Sequence, residues 1–443
     1  MFRMSCAIVL TAVVATAASN PATFNKDVLP ILQKNCQTCH RPGEIAPMSL
    51  LTYKDARPWS KALKAAVLSG KMPPWLADPG YGHFANEQRL SQSQIATLVS
   101  WVDNGAVEGD AKDAPAPVTF NDGWNIKPDL VVEMPTAFQV PATGTIDYQY
   151  MLVKVNFPED RWVVAAEMRP GNSKVVHHGE VWVRPLGSTW MADATPGVAY
   201  GTAEMSKSAS EGNDILAKYN PGLGAQSFAL GDSAKFIPKG SDLVFEIHYT
   251  AVGTAASDKT RVGIVFAKHP PKTRYVTSYG PGNHDFVISP GDGNAEVVSE
   301  ITAQADVTLA YVQPHMHLRG KDYEVRVIYA SGESETVFKG KFDFHWQLGY
   351  ELAKPLALRK GDRIVAVAHF DNSANNPFNP DPQKEVRWGP QNWDEMQNCF
   401  LGLLIDAKAD PSTVLRSSGP SLTELKPGRG DSTLATPATK TAN

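Results

Sequence analysis

Along the first hundred residues, apolar positions recur at helical spacing. Val28, Leu29, Ile31 and Leu32 form one such set, and Leu63, Ala66 and Val67 form a second that stops at Gly70. Ser91-Gln92-Ser93-Gln94 reads as a capping box opening a helix with Ile95, Leu98, Val99 and Val102 on one face. From about residue 122 the period changes to two. Met151, Val153, Val155 and Phe157 alternate with other residues, as do Val307, Leu309 and Tyr311, and Tyr323, Val325, Val327 and Tyr329. Gly, Pro, Asn and Asp clusters break these runs at turn-like intervals, which predicts β-sandwich structure. Between the two regimes, residues 109–121 have linker composition, with Asp113-Ala114-Pro115-Ala116-Pro117 at their centre. A seam at His269-Pro270-Pro271-Lys272 divides the β region roughly in half, predicting units over 122–272 and 273–410. The Ser/Thr/Pro/Lys-rich stretch 411–443 reads as a disordered tail.

Composition narrows the picture. The chain has 443 residues, 42% of them hydrophobic, enough for several real cores. Its net charge of −4 and lack of a basic run argue against nucleic acid or a membrane surface as partner. Residues 1–18 read as an export signal: Arg3, a short apolar core from Cys6 to Val14, then Ala15-Thr16-Ala17 as a small-x-small cleavage site. The apolar run is too short to span a bilayer, so the expectation is a periplasmic or secreted protein with no integral membrane segment after cleavage. Cys6 departs with the signal, Cys36 and Cys39 form a pair, and Cys399 sits in an apolar run as a small buried hydrophobe. No disulfide framework is expected.

Asn35-Cys36-Gln37-Thr38-Cys39-His40 is Cys-x-x-Cys-His, the pattern for covalent haem c attachment. Two thiols add to the haem vinyl groups and His40 becomes an axial ligand. A thioredoxin-like redox pair would want a βαβ setting, and half a zinc site would want a second Cys or His pair nearby. The helical order over residues 20–108 resembles small class I cytochrome c domains, whose second axial ligand is a downstream methionine. Ser69-Gly70-Lys71-Met72-Pro73-Pro74-Trp75 matches that loop, so the resemblance implies Met72 as the thioether ligand, with Met48 its competitor. A His/Met pair suits electron transfer.

The β region carries its own histidines. In Gln313-Pro314-His315-Met316-His317-Leu318-Arg319-Gly320 the two imidazoles project from one strand face and can reach a single ion. A solvated polar pair is the alternative. In Lys174-Val175-Val176-His177-His178-Gly179-Glu180, strand neighbours point to opposite faces, so both can meet one ion only if the backbone bulges or ends, which Gly179 eases. His248 lies on the polar face of Leu243–Tyr249, and Met396 follows Asp394-Glu395. Each of these alone also fits a structural role. His345, His369, His83 and His284 lie outside any ligand pattern. Arg319 fits either an anionic substrate or an Asp partner.

Taken in order, His-His, then His-Tyr, then His-x-His with Leu-x-Gly, then Asp-Glu-Met resembles the copper type II, ascorbate-dependent monooxygenases, the family of peptidylglycine α-hydroxylating monooxygenase and dopamine β-hydroxylase. The resemblance covers about residues 125–405. It implies two jelly-roll domains, each with one copper, facing across an open cleft. It places one copper on His177, His178 and His248, and the O2-activating copper on His315, His317 and Met396. Imidazoles suit both oxidation states of copper and a thioether favours Cu(I). The implied reaction hydroxylates a C–H bond of a small organic substrate with O2, each copper supplying one electron, the fused haem or an external reductant or redox protein resupplying them. The family's animal members carry disulfides that this chain has no cysteines to form. The expected fold class is therefore a small all-α cytochrome c domain followed by two all-β jelly-roll sandwich domains. The competing expectation is a haem- and copper-binding electron carrier that hydroxylates nothing.

Overall fold

The computed structural model describes residues 21–120, 123–201 and 214–417. The export signal and most of the predicted tail lie outside the described residues.

One long sheet ties the β region together. Nine strands belong to it, eight of them in the order Leu130–Glu133, Arg261–Phe266, Arg161–Arg169, Ser233–Ile237, Thr273–Asn283, Gln397–Asp406, Val307–His315 and Tyr350–Leu358. The seam after Pro271 is crossed by parallel pairing of Thr273 with Ser233 and Arg274 with Ala234. Two five-stranded sheets complete the layers. One, built around Asp242–Tyr249, Val176–Arg184 and Asp214–Tyr219, encloses a core with Val163, Met168, Val181 and Phe245. The other, built around Gly320–Ile328 and Arg363–Phe370, encloses Leu309, Val325, Ala366 and Leu401. Alternating inward residues from facing sheets fill each core, as period-two sequence requires.

The expectation of a small all-α cytochrome c domain followed by two separate jelly-roll domains is corrected. Strand makes up 38% of the chain and helix 12%, and the helices are few and short. Helices Leu29–Asn35, Ser60–Leu68 and Gln92–Asp103 do pack on Phe24, Leu32 and Trp101. The Ser91–Gln94 capping box closes the last of them at its start. From about Trp75 to Arg89, however, the chain leaves this cluster and becomes an extended strap on the second sandwich, before Leu90 rejoins the helical core. Asp78 donates to the Lys339 carbonyl, Ala85 to Glu351 and Ala353 to His83, while Ala77 and Phe84 bury themselves in the β core. Trp75 meets Phe84 and Tyr350 edge-on, at ring separations of 5.8 and 4.9 Å. The helical segment is thus sewn into the β structure, and the two sandwiches share a sheet.

Opposite the strap, the Cys-x-x-Cys-His loop is fastened to the first sandwich. Arg41 bonds the Gly123 carbonyl at 2.8 Å and Asn125 Oδ1 at 3.1 Å. Glu44 takes Arg41 at 2.8 Å and Arg169 at 2.5 Å, and Arg169 also reaches Glu167 at 3.1 Å. Asn125 in turn donates its backbone and side chain to Glu167.

Candidate metal centre

The strands Val176–Arg184 and Asp242–Tyr249 pair residue for residue until the histidines: Glu246 faces Glu180, Ile247 faces Gly179, and His248 faces His178. The next pair is Tyr249 with Val176, so His177 is an extra residue, a β-bulge. That bulge lets His177 and His178, adjacent in the strand, meet the same neighbours. Ligand nitrogens of His177, His178 and His248 all lie within 4.8 Å of one another. Gly179 suits the place beside the bulge: a Cβ there would displace the end of Met168, 2.6 Å away, and press on the Glu246 carbonyl at 3.0 Å.

Burial keeps these imidazoles neutral. His177 and His248 are pushed down to about 4, chiefly by desolvation, and His178 lies further below its ordinary value for the same reason. A neutral imidazole is the form that binds a metal. Tyr148 stacks on His248 at 4.6 Å, and its hydroxyl lies 2.8 Å from His178 Nε2. His248 Nδ1 is buried without a hydrogen-bond partner.

The second histidine pair stands where the Val307–His315 strand ends. The His315 and His317 rings are 5.3 Å apart and nearly perpendicular, at 88°. His315 Nδ1 lies 2.6 Å from Gln347 Oε1. Gln347 Nε2 donates to the Phe344 carbonyl, so its oxygen faces the imidazole, His315 carries its proton on Nδ1, and Nε2 is free to ligate. Gln347 is itself held through its carbonyl by Gln313 Nε2 at 3.0 Å, and Gln313 Oε1 accepts from Lys218 Nζ at 3.1 Å. His315 is pushed down to about 4 by burial. His317 is buried, and neither ring nitrogen makes a hydrogen bond of good geometry, although the carbonyls of Asp394 and Gln391 lie nearby.

Glu395 binds the methionine segment to this pair. Its fully buried carboxylate accepts from the backbone of His317 at 2.9 Å and of Arg319 at 2.6 Å. Met396, the next residue, is half-buried just before the strand Gln397–Asp406. Arg319 is fully buried and spends its guanidinium on Asn372 and the Trp393 carbonyl, which makes it a structural anchor rather than an anion reader.

The two histidine sets influence one another electrostatically. The charges of His315 and His317 oppose protonation of His178, and that of His248 opposes protonation of His317. Phe344 lies between them, stacked on His177 at 4.9 Å and 6.3 Å from His317. Of the other histidines, His345 pairs with Asp343, His369 with Asp322 at 2.6 Å, and His284 stacks on Trp388 at 4.7 Å. Tyr148 and Gln347 escaped the sequence reading as functional residues, since a lone Tyr or Gln carries no spacing signal, and Glu395 entered it only as part of the Asp-Glu-Met pattern.

In the helical segment, His40 Nδ1 lies 3.3 Å from the Met48 carbonyl, which leaves Nε2 free. Cys36 and Cys39 are free thiols, pushed up to about 12 and about 11, mainly by burial. Met72 is half-buried, its amide donating to the Ala66 carbonyl.

No protein-family model and no curated protein matches the chain. Solved structures similar to it include the infectious bursal disease virus VP2 subviral particle, with TM-score 0.20 and 10% identity over 66% of this chain and 75% of that one. The Macrobrachium rosenbergii nodavirus is another, with TM-score 0.16 and 9% identity over 67% and 97%. Likenesses this slight carry no argument about fold or function. The site's chemistry has to speak from its own residues.

Proposed function

We propose that this chain is an exported copper-dependent monooxygenase that hydroxylates a C–H bond of a small organic substrate with O2, and that a covalent haem c supplies its electrons. The observation that carries the reading is the donor set. Five largely buried imidazoles, held neutral by desolvation, stand in two sets, the ligand nitrogens of His177, His178 and His248 within 4.8 Å of one another and the His315 and His317 rings 5.3 Å apart, with ring nitrogens left unpartnered on His248 and His317. An unpartnered buried nitrogen costs about 1–3 kcal/mol, which a bound metal would recover. His177, His178 and His248 would hold one copper, and His315, His317 and Met396 the other. Copper there would supply one-electron redox chemistry toward O2.

The chain's own residues do the rest. The bulge at His177 aims the doublet inward, Tyr148 fixes His178, Gln347 fixes the tautomer of His315, and Glu395 ties the methionine segment to the histidine pair. Phe344 touches both sets, stacked on His177 and 6.3 Å from His317. In the helical segment, Cys36 and Cys39 would anchor a haem whose iron takes His40 Nε2, freed by the bond of Nδ1 to Met48, with Met72 as the thioether partner. Haem bound there would supply a one-electron relay.

X-ray absorption of the Cu(I) protein tests the reading. A sulfur neighbour in the native protein that disappears in Met396→Ile, while the Cu(II) signal of the three-histidine site persists, is the expected result. No sulfur neighbour in either protein refutes the assignment.

A further inference from the structure

Lys218 is a buried cation that the chemistry proposed above does not use. It sits on the strand Asp214–Tyr219 of the first sandwich, where the Gln226 side chain clasps its amide and its carbonyl at 2.7 and 3.2 Å. Its ammonium reaches toward the second sandwich. There it lies 3.0 Å from the centre of the Phe400 ring and donates to Gln313 Oε1 at 3.1 Å. Glu180, its neighbour across the strand pair, stands off at 3.8 Å, so Gln313 rather than the carboxylate takes the hydrogen bond. Burial pushes the ammonium down to about 7 against the pull of Glu180. Keeping a charge here carries a desolvation cost that an apolar side chain of the same length would not.

Gln313 carries the contact onward. It is buried, and its amide nitrogen donates to the Gln347 carbonyl at 3.0 Å. An ammonium only donates and a carbonyl only accepts, so both ends demand the same orientation of the amide. The Tyr311 hydroxyl, 3.0 Å from the same oxygen, can donate or accept and fixes neither orientation. Gln347, pinned through its main chain, holds its own Oε1 2.6 Å from His315 Nδ1. We infer that Lys218 is a positioning residue for the His315–His317 set, reaching from the first sandwich through Gln313 to steady Gln347 and the tautomer of His315. This rests on the copper reading proposed above. Its consequence is that the ligand geometry of one sandwich depends on a cation supplied by the other.

The test uses the full chain matured in a haem-attaching host, with Cu(I) titrated against a competing chelator. The sulfur neighbour seen by X-ray absorption reports the His315–His317–Met396 set, and the Cu(II) paramagnetic resonance signal reports the three histidines. Lys218→Met removes the donor, Gln313→Leu cuts the chain one step later, and a double variant combines them. Losing an outer partner costs roughly 10–100-fold in metal affinity. Lys218 acts two steps beyond Gln347, so the expected loss in Lys218→Met is about tenfold at the second set, with the three-histidine signal unchanged. In the Gln313→Leu background the same substitution should cost nothing more, because its route is already cut. A lysine that only supports the fold would cost the same in both backgrounds. That result overturns the proposal, as does native affinity in folded Lys218→Met. Should Lys218→Met not fold, Gln313→Glu decides: it keeps the lysine's partner and gives up only the donor to Gln347. It should lose affinity, and native affinity there overturns the chain. A native protein that takes no Cu(I) at the second set overturns the copper reading itself, whereas native binding with unaltered variants overturns the role of Lys218 alone.

Discussion

Replacing Gln347 by Leu should weaken copper binding at the His315–His317 pair more than it weakens the fold. Gln347 Oε1 is the partner of His315 Nδ1 at 2.6 Å, and the residue is only 5% exposed, so no solvent stands ready to replace it. Leucine has similar bulk and no acceptor. In the metal-free protein the Nδ1 proton is orphaned, at about 1–3 kcal/mol, partly offset because leucine has no amide to bury. With the tautomer no longer fixed, part of the population presents its proton on the ligating nitrogen. Losing such an outer partner costs roughly 10–100-fold in metal affinity. Cu(I) titration against a competing chelator reads the affinity, and denaturant unfolding reads the fold. Gln347→Glu keeps an acceptor and should retain most of the affinity. Native Cu(I) affinity in folded Gln347→Leu would refute the argument that this bond sets the His315 tautomer.

Three further outcomes follow from the packing and charges. Trp75→Ala removes the ring that joins the strap to Phe84 and Tyr350, and should cost about 3 kcal/mol in denaturant unfolding and expose residues 70–90 to protease; a loss near zero contradicts the strap. Arg169→Ala takes one partner each from Glu44, which keeps Arg41, and Glu167, which keeps Asn125, and should cost about 1–3 kcal/mol, with an unfolding midpoint unchanged from native as the contrary result. Glu324 is pushed down to about 2 by its bond to Arg326, with Lys339 and Thr336 adding to it. Its folded value lies below the unfolded one, so the stability it contributes is present above about pH 4.5 and is lost as pH falls through about 2. Glu324→Gln should therefore differ from native at neutral pH and converge with it in acid; a difference constant with pH contradicts the pairing.

Much of the β architecture was legible in the chain because period two survives tertiary packing: the runs around Met151, Val307 and Tyr323 are strands. The doublet His177-His178 raised the need for a bulge, and pairing with His248 and Tyr249 shows one. Other features depend on contacts far apart in sequence. Residues 75–89 lack strong periodicity, and their extended course is set by Lys339, Glu351 and Ala353, more than 250 residues away. The same absence hid the sheet continuity across Pro271, since parallel pairing of Thr273 with Ser233 leaves no local mark. Gln347 and Glu395 gain their meaning only from the side of the molecule they face. The capping box at Ser91 is the opposite case, a local signal with a local outcome.

The central claim is a two-copper site served by a covalent haem. Metal content per haem, measured with electron paramagnetic resonance on full-length protein matured in a haem-attaching host and loaded with copper, tests it most directly. Two type 2 coppers per haem is the predicted result. A haem-bearing protein that takes up no copper would contradict the account.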